Sequence, residues 1–190
     1  TQVGSSAASD VYKRQADKYK SWSSEGYERR FAKIAGSYYP IDNFKLSYSF
    51  RVREEDEWLN WIDGNELAVY DLTQKIISFN MNWFEGRKHE VRLKSQFVAL
   101  DAENPISLIS NSDGYLFNHT SDVKPFTQGI ASFQIRYKYE IAPLSYIYAV
   151  YTKGGRVYDD ENERNTSKVF KDPWNNPDNE IFSLKFRLKF

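Results

Sequence analysis

A chain of 190 residues has the length of one domain, and its 26 Lys and Arg balance its 26 Asp and Glu. Aromatic residues make up 17% of the chain, and cysteine is absent. These facts exclude disulfides, thiolate metal sites and cysteine nucleophiles, argue against a nucleic-acid partner (which calls for a basic excess), and leave no apolar run near the roughly 18 residues of a membrane helix.

The chain opens on Thr1, and Asp10-Val11-Tyr12-Lys13-Arg14-Gln15 reads like a translated transposon mosaic end of the kind used in sequencing libraries. Residues 1–15 are therefore expected to be non-native, or a disordered polar lead, and 16–190 to carry the fold. A first, weak strand is expected over 29–39, where Ala32, Ile34, Gly36 and Tyr38 share one face. After a turn at 40–43, residues 44–53 alternate cleanly: Phe44, Leu46, Tyr48, Phe50 and Val52 against Lys45, Ser47, Ser49, Arg51 and Arg53. Period-two alternation puts the two sets on opposite faces of a strand. Residues 54–73 read as a long acidic loop, with seven acidic residues and no basic one from Glu54 to Asp71, and with Trp58 and Trp61 inside it.

Two further strands are expected over 74–84 and 89–100, joined by a turn at 85–88. The first sets Ile77, Phe79, Met81 and Trp83 against Ser78, Asn80 and Asn82, and the second sets Val91, Leu93, Phe97 and Ala99 against Arg92, Lys94 and Gln96. A second long loop spans 101–129. The strand at 130–139 carries Ala131, Phe133, Ile135, Tyr137 and Tyr139 opposite Ser132, Gln134, Arg136 and Lys138. A turn at 140–143 leads to 144–152, where both faces are mixed, and a third long loop spans 153–180. The last strand, 181–190, sets Phe182, Leu184, Phe186, Leu188 and Phe190 against Ser183, Lys185, Arg187 and Lys189.

Seven strands of about ten residues exceed the soluble mean of roughly five or six and match the 9–11 or so of a membrane-crossing β-strand. Short turns alternate with long loops, as in bacterial outer-membrane barrels. Tyr38, Tyr39, Phe44, Trp83, Phe84, Tyr137, Tyr139, Tyr146 and Phe190 gather at the short-turn end, where an interfacial aromatic girdle belongs. The expected fold is an all-β, antiparallel, up-and-down transmembrane barrel. Its odd strand count points to a truncated portion, because single-chain bacterial barrels have even numbers. A soluble secreted β-sandwich that binds glycans is the alternative, since it also alternates.

The terminal run Phe182, Leu184, Phe186, Leu188, Phe190 resembles the C-terminal signal by which the outer-membrane assembly machinery recognises its barrels. The stretch from Gln134 through Ala142-Pro143-Leu144-Ser145 to Tyr151 resembles the penultimate hairpin of a bacterial outer-membrane family of unknown function, in which that turn often reads Ala-Pro-Gly-Ser. Longer members of that family are similar to an N-terminal domain like the family 9 carbohydrate-binding modules followed by a barrel. The resemblance covers about the last 60 residues. It implies an outer-membrane location, a bilayer and the assembly machinery as partners, and carbohydrate binding or uptake at the cell surface by the longer protein.

The inward basic residues Lys45, Arg51, Arg53, Arg92, Lys94, Arg136, Lys138, Lys185 and Arg187 are the main functional candidates, because charges lining a barrel tune what enters it. Trp58, Trp61 and Trp174 are candidate glycan-stacking platforms. His89 and His119 stand at no motif spacing to a nucleophile, so neither catalysis nor a barrel hydrolase is expected. Asp159, Asp160, Glu161 and Glu163 lack the spacing of a calcium loop and read as a solvated acidic segment. No cofactor or metal is expected.

Overall fold

The computed structural model describes residues 17–19, 27–159 and 166–189. The segment 1–15 and the terminal Phe190 lie outside them, as do Asp160, Glu161 and Glu163. The elements are β1 (Asp17–Tyr19), β2 (Tyr27–Ile41), β3 (Phe44–Asp63), β4 (Glu66–Glu85), β5 (His89–Ser110), β6 (Leu116–Asn118), β7 (Phe126–Ala142), β8 (Ser145–Asp159), α1 (Thr166–Asn175) and β9 (Asn179–Arg187). All strands join one antiparallel sheet, in the order β1-β2-β3-β4-β5-β7-β8-β9, with β6 added beside β5. The fold is thus all-β and antiparallel, as expected. The sheet is open: among the described residues β2 and β9 do not pair.

The strands are much longer than the alternation suggested. β3 and β4 have 20 residues each and β5 has 22. The expected loop at 54–73 is a correction. Both strands run straight through it and meet in a tight turn at Gly64-Asn65, where Gly64 takes a positive φ of 50° and its N–H donates to Asp63 Oδ1 at 2.8 Å. Turn chemistry of this kind closes a hairpin directly. Short and long connections therefore do not alternate strictly. The expected loop at 101–129 likewise contains the end of β5, β6 and the start of β7. In 153–180, β8 continues to Asp159 and α1 follows.

Two bulges hid these extensions. Glu57 and Asn104 both have positive φ, at 57° and 50°, and both sit where the register shifts opposite the Tyr70–Asp71 step. A bulge adds an unpaired residue and breaks the period-two pattern that reveals a strand. Pro105 follows Asn104 at the second bulge, one of the few sheet positions where a missing N–H is tolerated. Asn104 Nδ2 donates to Asp71 Oδ2 at 2.8 Å and clips the irregular step to β4.

The main buried cluster lies in the half of the sheet far from the short turns. Ala68, Tyr70, Ala102 and Phe126 form it, with Trp58, Leu100 and Val123 packed around them. Tyr70 meets Phe126 edge-on at 5.2 Å between centroids, and Trp58 lies 6.1 Å from Tyr70. Aromatic rings in such tilted arrangements add to the burial energy.

α1 rests on the opposite face of the sheet. Its Val169 carbonyl packs on Gly129 and its Pro173 carbonyl on Gly155, so closely that a methyl group at either glycine would overlap them. Trp174 completes the contact against Phe133 at 5.6 Å and Phe97 at 6.1 Å.

Candidate polar face and its charge

The strand register sorts every side chain to a face. One face carries the rows Phe44–Trp83–Val91–Tyr137–Ala149–Leu184 and Leu46–Met81–Leu93–Ile135–Tyr151–Phe182. The next rows on that face begin at Tyr48–Phe79 and Phe50–Ile77. Its large side chains are open to the surroundings, among them Tyr48, Phe50, Phe79, Leu184 and Phe186. β8 was mixed in sequence, and the register resolves it. Ile147, Ala149 and Tyr151 join this apolar face, whereas Tyr146, Tyr148 and Val150 join the other.

The second face is polar over the same levels. Lys45–Asn82–Arg92–Arg136 form one row, Ser47–Asn80–Lys94–Gln134–Thr152 the next and Ser49–Ser78–Gln96–Ser132 the third. Ser37 and Ser47 share a hydrogen bond of 2.9 Å between hydroxyls. A cavity of about 440 Å³ lies on this face, lined in part by Ser78, Asn80, Lys94, Gln96, Gln134 and Thr152. The amide and hydroxyl belt was not singled out from sequence. Its members were visible as polar alternants, but only the register shows that they line up across five strands.

All nine predicted basic candidates fall on this polar face: Lys45, Arg51, Arg53, Arg92, Lys94, Arg136, Lys138, Lys185 and Arg187. Four of them have carboxylate partners on the same face. Glu90 sits beside Arg92, with Arg136 Nη2 at 3.8 Å and Lys138 Nζ at 3.8 Å. Glu55, only 4% exposed, accepts from Arg53 and from Arg29 Nε at 3.0 Å. Burial alone would raise the Glu55 carboxyl, but hydrogen bonds from Arg29 and Arg53 and their charges outweigh it and hold it below its ordinary value.

The polarity of both faces changes further along the strands. Beyond the Arg51–Ile76–Val98–Ile130 row, the formerly polar face carries the mixed row Arg53–Gln74–Leu100–Gln128, then Glu55–Leu72–Ala102–Phe126, then the Trp58–Tyr70 cluster. The formerly apolar face there carries one polar row, Glu54–Thr73–Asp101–Thr127, before Leu59–Val69–Ile106 and Trp61–Leu67–Leu108 follow beyond the bulges. Burial pushes the Tyr70 phenol up, and Tyr158 adds to the effect.

The three tryptophans part company. Trp58 is packed in the aromatic cluster, and Trp174 is held between the apolar face and Lys153, whose ammonium stands 4.7 Å from its ring. Trp61 is 63% exposed near the Gly64-Asn65 turn, with its Nε1 donating to Gly64 O at 3.0 Å. His89 is stacked on Tyr139 at 4.8 Å and shares a 2.6 Å hydrogen bond with Tyr137, while His119 approaches Glu66 at 3.7 Å. Among the described residues no three His, Asp or Glu side chains group as a metal site, and no helix is long and apolar enough to cross a membrane. Comparison with protein-family models, with curated proteins and with solved structures returned no match.

Proposed function

We propose that this sheet is part of the wall of a transmembrane β-barrel in a bacterial outer membrane, serving as an anchor or pore. The observation that carries the reading is the change of polarity along the strands. Near the short turns one face is apolar and the other polar, as hydrocarbon and a wet lumen demand. Further along, the inner face becomes a packed core, and the outer face is crossed by a polar row, Glu54–Thr73–Asp101–Thr127, as the edge of a hydrocarbon band demands. A strand of 20 residues extends roughly 65 Å, or about 50 Å at the usual tilt, twice the apolar band of about 25 Å.

The slope of the band supports the same reading. Its far limit lies at Phe50 and Ile77 on β3 and β4 but at Tyr151 and Phe182 on β8 and β9, two register rows lower, with Trp174 of α1 covering Phe97 and Phe133 between them. Its near limit drops in the same direction by one row, from Phe44 to Ile147 and Phe186. Tilted strands crossing a flat bilayer require such a slope, since a register row then runs oblique to the membrane plane. A positive lumen favours anions. By the resemblance stated above, the longer protein handles carbohydrate at the cell surface, and Trp61 is the ring best exposed for stacking on a sugar.

Cysteine labelling tests this. The chain has no cysteine, so Phe79→Cys and Asn80→Cys each introduce a single thiol on opposite faces of β4. In outer-membrane fractions, a water-soluble maleimide is expected to label Asn80→Cys and spare Phe79→Cys. Recovery of the chain in a soluble fraction with Phe79→Cys still spared would overturn the barrel and favour a secreted β-sandwich, and rapid labelling of both would overturn the barrel as well.

A further inference from the structure

The geometry points to an oxyanion site on the polar face, formed by Arg92, Arg136 and Lys138 and organised by Glu90. The inference rests on reading this face as a solvent-filled lumen. Arg92 and Arg136 are directly opposite across β5 and β7. Side chains in that relation stand about 5 Å apart at Cβ, and like charges there oppose each other. Lys138 is the next residue on this face along β7 and lies opposite Glu90. One carboxylate, 14% exposed at its side chain, thus serves three cations. Three positive charges against one negative charge leave two uncompensated. Glu140, the nearest further acid, belongs to the next row together with Arg187, and Lys94 adds a cation on the cavity side.

Two guanidinium forks side by side match a tetrahedral dianion better than they match a halide or a single carboxylate. Each fork offers parallel N–H donors to a pair of oxygens, and an ammonium can take a third oxygen. A phosphate group carries that geometry and the two charges the cluster lacks. Glu90 holds the forks in register when the site is empty and competes with the incoming oxyanion for the same donors.

The test is calorimetric titration of the full chain in a non-ionic detergent at low salt and pH 8. One arm uses inorganic phosphate, a second dihexanoyl phosphatidate and a third sodium chloride. Saturable binding of phosphate at least tenfold tighter than chloride is expected. Arg136→Met should weaken it at least tenfold, Arg136→Lys should weaken it less, and Glu90→Gln should tighten it several-fold. The opposite signs for Arg136→Met and Glu90→Gln separate an oxyanion site from a structural ion cluster. Tighter phosphatidate than phosphate would identify a lipid headgroup as the source, and equal affinity a free phosphate solute. No saturable binding in either arm, or a loss on Glu90→Gln as large as on Arg136→Met, would overturn the inference. The Phe79→Cys and Asn80→Cys labels, read on the same preparations, report separately on the barrel.

Discussion

At the scale of single residues, Glu55 shows how a charge is kept inside the far half of the sheet. Its two arginine partners are themselves partly exposed, with side chains 29% and 27% accessible. The pair is therefore worth less than a fully buried one, and Glu55→Gln should cost about 1–3 kcal/mol at neutral pH. A carboxyl whose folded-state pKa is depressed contributes stability above its unfolded value, here about 4.5, and loses it as pH falls through the folded value. Urea unfolding of the wild type should thus weaken below about pH 4.5, and Glu55→Gln should remove that part of the acid sensitivity. Gly129 and Gly155 follow a different logic, because no charge is involved. Each lets a carbonyl of α1 lie directly on the sheet. Ala at Gly129 should cost about 1–3 kcal/mol and lift the helix away, read as faster proteolysis between β8 and β9 and as a change in Trp174 fluorescence. Nothing in the sequence around Gly129 marks it as a docking point, since its partner lies 40 residues further along the chain at Val169.

Among whole elements, what was legible followed from regular alternation. β3 near Phe44, β7 and β9 show a strict two-residue period, and their faces were assigned correctly before any register was known. The far halves of β3, β4 and β5 were missed because the bulges at Glu57 in β3 and Asn104 in β5 shift the period, and because the polarity of the faces changes there. Helix α1 was missed for a local reason: Pro173 sits inside it, and a proline usually ends a helical pattern. The β7–β8 hairpin offers a sharper case. Leu144 stands at φ 64° directly after Pro143, the arrangement a type II turn requires and one that favours glycine. Leu144→Gly should stabilise the chain by about 1 kcal/mol, provided that the relief of left-handed strain exceeds the lost chain entropy. Thermal unfolding in detergent would show a higher midpoint, and an unchanged or lower midpoint would mean that the Leu144 side chain contributes packing of its own.

Across the whole molecule, the surroundings of each face must change along the strand, and a single strand can report where. β4 is suitable because it runs from Glu66 to Glu85 through both regimes and is paired on both sides. If its near half lies in hydrocarbon, arginine at Phe79 meets lipid near the bilayer midplane and should cost about 2–4 kcal/mol. At Thr73, on the same face but three register rows further out, the side chain is half-buried beside Val169 of α1 and outside the hydrocarbon, so the same substitution should cost less than at Phe79. The other face should show the reverse order. Arginine at Asn80 enters a wet polar belt and should be tolerated, whereas arginine at Leu72, which is 3% exposed beside the aromatic cluster, should cost several kcal/mol. The measurement is equilibrium unfolding of the four variants from lipid vesicles. A crossed pattern, with near positions sensitive on one face and far positions sensitive on the other, belongs to a sheet that leaves the membrane halfway along its length. A soluble sandwich buries one face throughout, so Phe79 and Thr73 would then respond alike and the crossing would vanish.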